Sequence, residues 1–156
     1  MEVYTVSFFG HRDVSDVNEV ESRLELLIRE LVCSQEYVEF LVSRGGEFDS
    51  LVSSLIRRIM KENDYGNAAH TLVLPYMTAE YKHNIDNFKT FYTDVEICEK
   101  SSLVHFKSAY RIRNQYVIDR SDLVVGYVQH NSGGAAFTAL QYAGRAGKLV
   151  YNLGAF

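Results

Sequence analysis

Apolar positions along this chain alternate between two rhythms. Val3 to Phe9 is an almost unbroken β-rich apolar run, the pattern of a strand covered on both faces. Val17, Val20, Leu24, Leu27, Ile28 and Leu31 then recur at helical spacing, with Glu19, Glu21, Glu25 and Arg29 opposite them. Asp13 or Ser15 is placed to cap that helix. Val38 to Val42 predicts a second buried strand. Phe48, Leu51, Val52, Leu55, Ile56 and Ile59 predict a second amphipathic helix, ending near Asn63. Thr71 to Leu74 predicts a third strand, stopped by Pro75. The stretch 76–93 is aromatic, polar and weakly periodic, and predicts a loop and a short helix over the sheet edge. Asp94 to Cys98 predicts a short fourth strand, and Ala109, Ile112, Tyr116 and Val117 a helix ending before Asp122. Leu123 to Val128 is the clearest buried strand. Ala135 to Arg145 follows as a small-residue helix, and Lys148 to Leu153 as a last strand.

Strands that alternate with helices throughout imply parallel pairing, helices on both faces and right-handed crossovers. The expected architecture is a Rossmann-like three-layer α/β/α sandwich with a mainly parallel sheet. It forms a single domain over residues 1–156, with no internal repeat, linker or low-complexity tract.

Composition narrows the function. A formal net charge of −4 leaves no basic excess to neutralise a nucleic-acid backbone, so nonspecific nucleic-acid binding is not expected. The arginines Arg12, Arg44, Arg111 and Arg113 are instead placed near loops, which suits a small anionic ligand. Cys33 and Cys98 are far apart and lack a CxxC partner, as free thiols of a reducing compartment would be. No apolar run approaches the roughly 20 residues of a membrane span, and no basic segment precedes an apolar one at the start. A cytoplasmic location is the expectation. The histidines His11, His70, His83, His105 and His130 show no metal-ligand spacing, and neither a metal nor a cofactor is expected.

Three strands run straight into loops able to hold an anion. In an open α/β sheet such loops gather at the carboxyl edge, where helix N-termini present bare N–H groups. After the first strand comes Gly10-His11-Arg12, where His11 is a donor or acid/base near neutral pH. After the second comes Arg44-Gly45-Gly46-Glu47-Phe48-Asp49. Arg44 can fork onto phosphate. Glu47 and Asp49 either stabilise the helix N-terminus or bind a ribose diol and act as general acid/base. After the strand ending at Val128 comes Asn131-Ser132-Gly133-Gly134-Ala135-Ala136, where the glycines admit a close backbone approach and Ser132 offers a hydroxyl. It is neither a Walker loop nor a dinucleotide fingerprint, and a plain glycine turn is the competing reading. Arg111 and Asn114 share a helix face by their spacing of three, while Arg113 lies nearer the apolar stripe with its head reaching outward. The aromatics Tyr76, Tyr81, Phe88, Phe91 and Tyr92 are candidates for base stacking, core packing or a subunit contact.

Four segments together resemble the SLOG superfamily, the Rossmann-like group of DprA DNA-processing proteins, LOG phosphoribohydrolases and single-domain YpsA-like proteins. They are Phe9-Gly10-His11-Arg12, Arg44 to Asp49, the run from Arg113-Asn114 to Ser121-Asp122, and Ser132-Gly133-Gly134-Ala135. The resemblance spans nearly the whole chain and looks closest to the YpsA-like branch. It implies a pocket for a nucleotide-derived molecule, with Gly133, Gly134 and Ala135 holding phosphate and Arg113 and Asn114 beside it. Superfamily members include sensors of ADP-ribose-like signals and LOG enzymes that cleave the N-glycosidic bond of nucleoside 5′-monophosphates. They are commonly oligomers, so a homo-oligomer is expected. LOG enzymes carry Gly-Gly-x-Gly-Thr-x-x-Glu; here Ala136, Phe137 and Leu140 stand for the third glycine, the threonine and the glutamate.

The leading expectation is therefore binding or sensing of a small nucleotide-derived ligand. Phosphate would lie on Gly133-Gly134 and ribose near Asp49. The alternatives are LOG-like N-glycosidic cleavage, with Glu47 or Asp49 as the acid, and an oligomeric interaction module built on residues 76–92.

Overall fold

Buried apolar runs pair into one sheet because their backbone groups find partners only in neighbouring strands. The computed structural model describes residues 2–62, 66–129 and 133–154. In chain order the elements are β1 (Val3–Gly10), α1 (Val17–Ser34), β2 (Tyr37–Val42), α2 (Glu47–Glu62), β3 (Ala68–Leu74), α3 (Ala79–His83), α4 (Ile85–Phe91), β4 (Asp94–Ile97), α5 (Glu99–Ser102), α6 (Phe106–Arg120), β5 (Leu123–Tyr127), α7 (Gly134–Arg145) and β6 (Leu149–Asn152). The six strands form one sheet in the order β4-β3-β2-β1-β5-β6. Every pairing is parallel.

Alternation along each strand fills two cores. On one face Val6, Phe8, Val38, Phe40, Val42, Leu72 and Val125 meet Leu24 and Ile28 of α1 and Val52, Leu55 and Ile56 of α2. On the other, Phe9, Leu41, Val73 and Val124 meet Val117 and Ile118 of α6 and Ala139 and Ala143 of α7. The result is the three-layer α/β/α sandwich expected from the sequence. The small residues of α7 let it lie close to the sheet, with Leu140 packed over Gly126.

Several local expectations are corrected. The N-cap of α1 is Asp16, whose side chain makes no capping bond. Ser15 is drawn away instead: its Oγ lies 3.0 Å from the Tyr127 hydroxyl and donates to Gln129 Oε1 at 3.1 Å. Residues 76–93 hold two short helices, with the Thr78 hydroxyl accepting from the Tyr81 N–H at the start of α3. The short helix α5 was not foreseen. The expected end of the second helix near Asn63 lies outside the described residues. No helix among the described residues is long and apolar enough to cross a membrane.

Candidate functional site

Strand order fixes where a crevice must open. From β1 the chain builds outward through β2, β3 and β4, then crosses back to add β5 and β6 on the other side of β1. Connections leaving β1 and β5 therefore diverge to opposite faces, which parts their loops at the carboxyl edge. A cleft of about 320 Å³ lies at this edge. Its walls are the β1 end (Phe9, Gly10, Arg12), the β2 loop (Ser43 to Gly46, with Asp49), the β3 end (Val73 to Pro75), the α6 side chains Tyr110, Arg113 and Asn114, and Ala135 and Ala136 of α7. A serine-lined hollow of about 400 Å³ adjoins it and shares Ser43, Arg44, Gly45 and Asp49.

Glycines set the close approaches. A Cβ on Gly10 would run into the Phe48 ring, and one on Gly46 would lie 3.0 Å from Arg12 Cα. The β1 and β2 loops are thus pressed together, and the Glu47 N–H donates to the Arg12 carbonyl at 2.7 Å. Glu47 Oε1 accepts from the Val14 N–H at 3.4 Å, so this acid fastens the loops and does not line the cleft. Gly133 and Gly134 have φ of 73° and 88°, a conformation favouring glycine, and swing the chain into α7. Ser132 lies outside the described residues.

The arginines differ sharply in role. Arg113 is 2 % exposed, contrary to the outward-reaching head expected from the sequence. Its Nε donates to Val73 O at 2.8 Å, its Nη2 to Val42 O at 2.9 Å and its Nη1 to Asn114 Oδ1 at 2.9 Å. It is drawn inward because two strand-end carbonyls offer acceptors that an apolar side chain would leave unmet. Arg12 is exposed at the mouth of the cleft. Arg44 lines the cleft but spends its fork on Glu80, with Nε 3.1 Å from Oε1 and Nη2 3.4 Å from Oε2. It also donates to the Tyr92 hydroxyl at 3.1 Å and lies over the Phe88 ring. Arg111 is exposed and does not join Asn114 at the cleft. His11 braces the loop from behind: its Nε2 accepts from the Gln129 N–H at 3.0 Å, and its ring meets Tyr127 edge-on.

Asp49 is the one carboxylate on the cleft wall among the described residues. Burial pushes its pKa up to about 6, against the pull of Arg113, a hydrogen bond from the Gly46 backbone and the charge of Arg12. Burial pulls Arg113 down to about 10, with Asp49 chief among the groups resisting. Arg113 makes no ion pair among the described residues. With Arg44 paired to Glu80, the cleft wall carries the cations of Arg12 and Arg113 beside the titrating carboxyl of Asp49.

The aromatic segment resolves into core. Tyr81, Phe88 and Tyr92 are buried in mutual contact against the α2 side of the sheet. Tyr76 makes an edge-to-face contact with the cleft residue Tyr110, ring centroids 6.1 Å apart. Tyr110 and Pro75 are cleft residues that sequence reasoning missed. Tyr110 had a signal: it lies three and four residues before Arg113 and Asn114, on the same helix stripe.

The fold and the cleft together define a Rossmannoid-like α/β/α architecture with a parallel sheet. A scan of the chain against protein-family models gives no match, and a search of the curated proteins gives none either.

Proposed function

We propose that the cleft binds a small nucleotide-derived ligand, either a nucleotide or an ADP-ribose-like molecule, as the resemblance to the SLOG superfamily implies. Arg113 carries the proposal. A guanidinium held at 2 % exposure beside a sheet-edge cleft, with no ion-pair partner among the described residues, is costly to keep unless an anion completes its environment. The start of α7 adds N–H donors for phosphate. Asp49, at the shoulder between the cleft and the serine-lined hollow, is positioned for a ribose diol. Equilibrium dialysis against nucleoside monophosphates, NAD and ADP-ribose tests this. Saturable binding weakened by Arg12→Ala supports it, and no binding by any compound at millimolar concentration refutes it.

A second reading is favoured by one observation, the raised pKa of Asp49. A carboxyl titrating near 6 suits general-acid work in N-glycosidic cleavage. Asp49 is the acid this reading uses, because Glu47 reaches the Val14 N–H and is not among the residues lining the cleft. Release of free base from nucleoside monophosphates, abolished in Asp49→Asn, would establish the enzyme. Ligand retained intact by wild-type protein would favour the sensor.

A further inference from the structure

The first turns of α6 depart from amphipathic order in one direction. Phe106 and Tyr110 are one turn apart and remain 61 % and 51 % exposed. Continuing along the same stripe, Arg113 and Val117 are 2 % and 0 % exposed. One helix face thus runs from bare aromatic surface, past the cleft mouth, to a buried cation. Tyr110 lies at the crossing point. Its ring lines the cleft with Pro75, and the edge-to-face contact with Tyr76 fixes its tilt without covering both of its faces. Burial and the neighbouring Tyr76 push the hydroxyl pKa up, while Arg113 and Arg12 act in the opposite sense, which puts the ring within electrostatic reach of both cations.

A half-exposed tyrosine at a cleft wall presents a flat π-face on which a planar group can stack. A molecule stacked there lies in the same cleft as Arg12 and Arg113. We infer that Tyr110 and Pro75 form a base-stacking subsite. It takes the planar heterocycle of a nucleotide whose phosphate end is held on the Arg12–Arg113 side of the same cleft. This rests on the anion-binding reading above and adds to it the end of the ligand that is recognised by stacking. Stacking tolerates any base, because every base has a π-face, so the subsite distinguishes nucleotides from sugar phosphates more than one nucleotide from another.

The test is calorimetric titration of wild type, Tyr110→Ala, Tyr110→Phe and Arg12→Ala with AMP, CMP and ribose 5-phosphate. Tyr110 is exposed, so its variants fold. Tyr110→Ala weakens AMP and CMP by roughly five- to a hundredfold, the range of a lost base–aromatic stack, while ribose 5-phosphate changes by less than about twofold. Tyr110→Phe, which keeps the π-face, retains nucleotide binding, and Arg12→Ala weakens all three probes. Equal losses of AMP and ribose 5-phosphate in Tyr110→Ala, or no loss of either, overturn the stacking subsite and leave the anion site standing. Undiminished binding in Arg12→Ala, with AMP still lost in Tyr110→Ala, overturns the role of Arg12 and keeps the subsite. No binding of any probe to wild type overturns both.

Discussion

Asp49 on α2 and Arg113 on α6 reach the same cleft from opposite faces of the sheet; burial holds each off its ordinary proton equilibrium, and each pulls the other back toward it without an ion pair between them. Arg113 is anchored to Val42 O and Val73 O, and Asp49 to the Gly46 backbone. Both groups are thereby fixed on the wall of one cleft.

Arg113 and Arg12 therefore separate structure from binding. Arg113→Met strips charged donors from two carbonyls at the ends of β2 and β3 and should lower the unfolding free energy by about 2–4 kcal/mol. Arg12→Ala, at an exposed position, should stay within about 0.5 kcal/mol of wild type. Urea denaturation compares the two, and equal losses would contradict the division of roles.

Stability should respond to pH through two opposed groups. Asp49 has a folded pKa raised from 3.8 to about 6, so its contribution is complete below 3.8 and lost as pH rises through 6. His70 is buried between Ser53, Phe91 and Tyr92, and its pKa is lowered from 6.5 to about 4. Its contribution is complete above 6.5 and lost as pH falls through 4. Wild-type stability should vary little between these limits. Asp49→Asn should raise stability at pH 7.5 by about 1–3 kcal/mol and leave a profile that falls steadily on acidification. Denaturant midpoints at four or five pH values check this, and a flat profile in the variant would contradict it.

The approach of β1 to α2 leaves no room at Gly10. Gly10→Ala would drive a methyl into the Phe48 ring, which itself stacks on Tyr127 at 5.9 Å, and should cost about 1–3 kcal/mol. Gly134→Ala meets no neighbour within 4 Å, so only its φ of 88° opposes the change, at about 1–2 kcal/mol. Thermal melts should rank Gly10→Ala below Gly134→Ala, while ligand affinity should suffer in the second.

The strands were legible because burial on both faces writes itself as a continuous apolar run, as in Leu123 to Tyr127. Helices α1 and α2 were legible because one face alone is apolar. Helix α6 was harder to interpret. It buries Arg113 and exposes Phe106 and Tyr110, so polarity and burial part company along it. The three glycine loops were found from local sequence, since a turn and a close approach are local demands. What sequence could not reveal was which neighbour each side chain meets. Glu47 and Asp49 are two residues apart, yet one fastens a loop and the other lines the cleft. Arg44 was committed to Glu80 by the remote helix α3. The aromatics of 76–92 left base stacking, core packing and a subunit contact open, and the sheet took Tyr81, Phe88 and Tyr92 into its core.

The most direct test of the account is thermal unfolding of wild type and Arg12→Ala with AMP, NAD and ADP-ribose added in turn. A ligand present at a hundred times its Kd adds about 2.7 kcal/mol to the folded state, a rise of several degrees in Tm. The proposed anion site at Arg12 and Arg113 predicts such a rise for at least one compound in wild type, and its loss in Arg12→Ala. An unchanged Tm with all three, or an equal rise in the variant, would contradict the claim that this sheet edge is an anion-binding site.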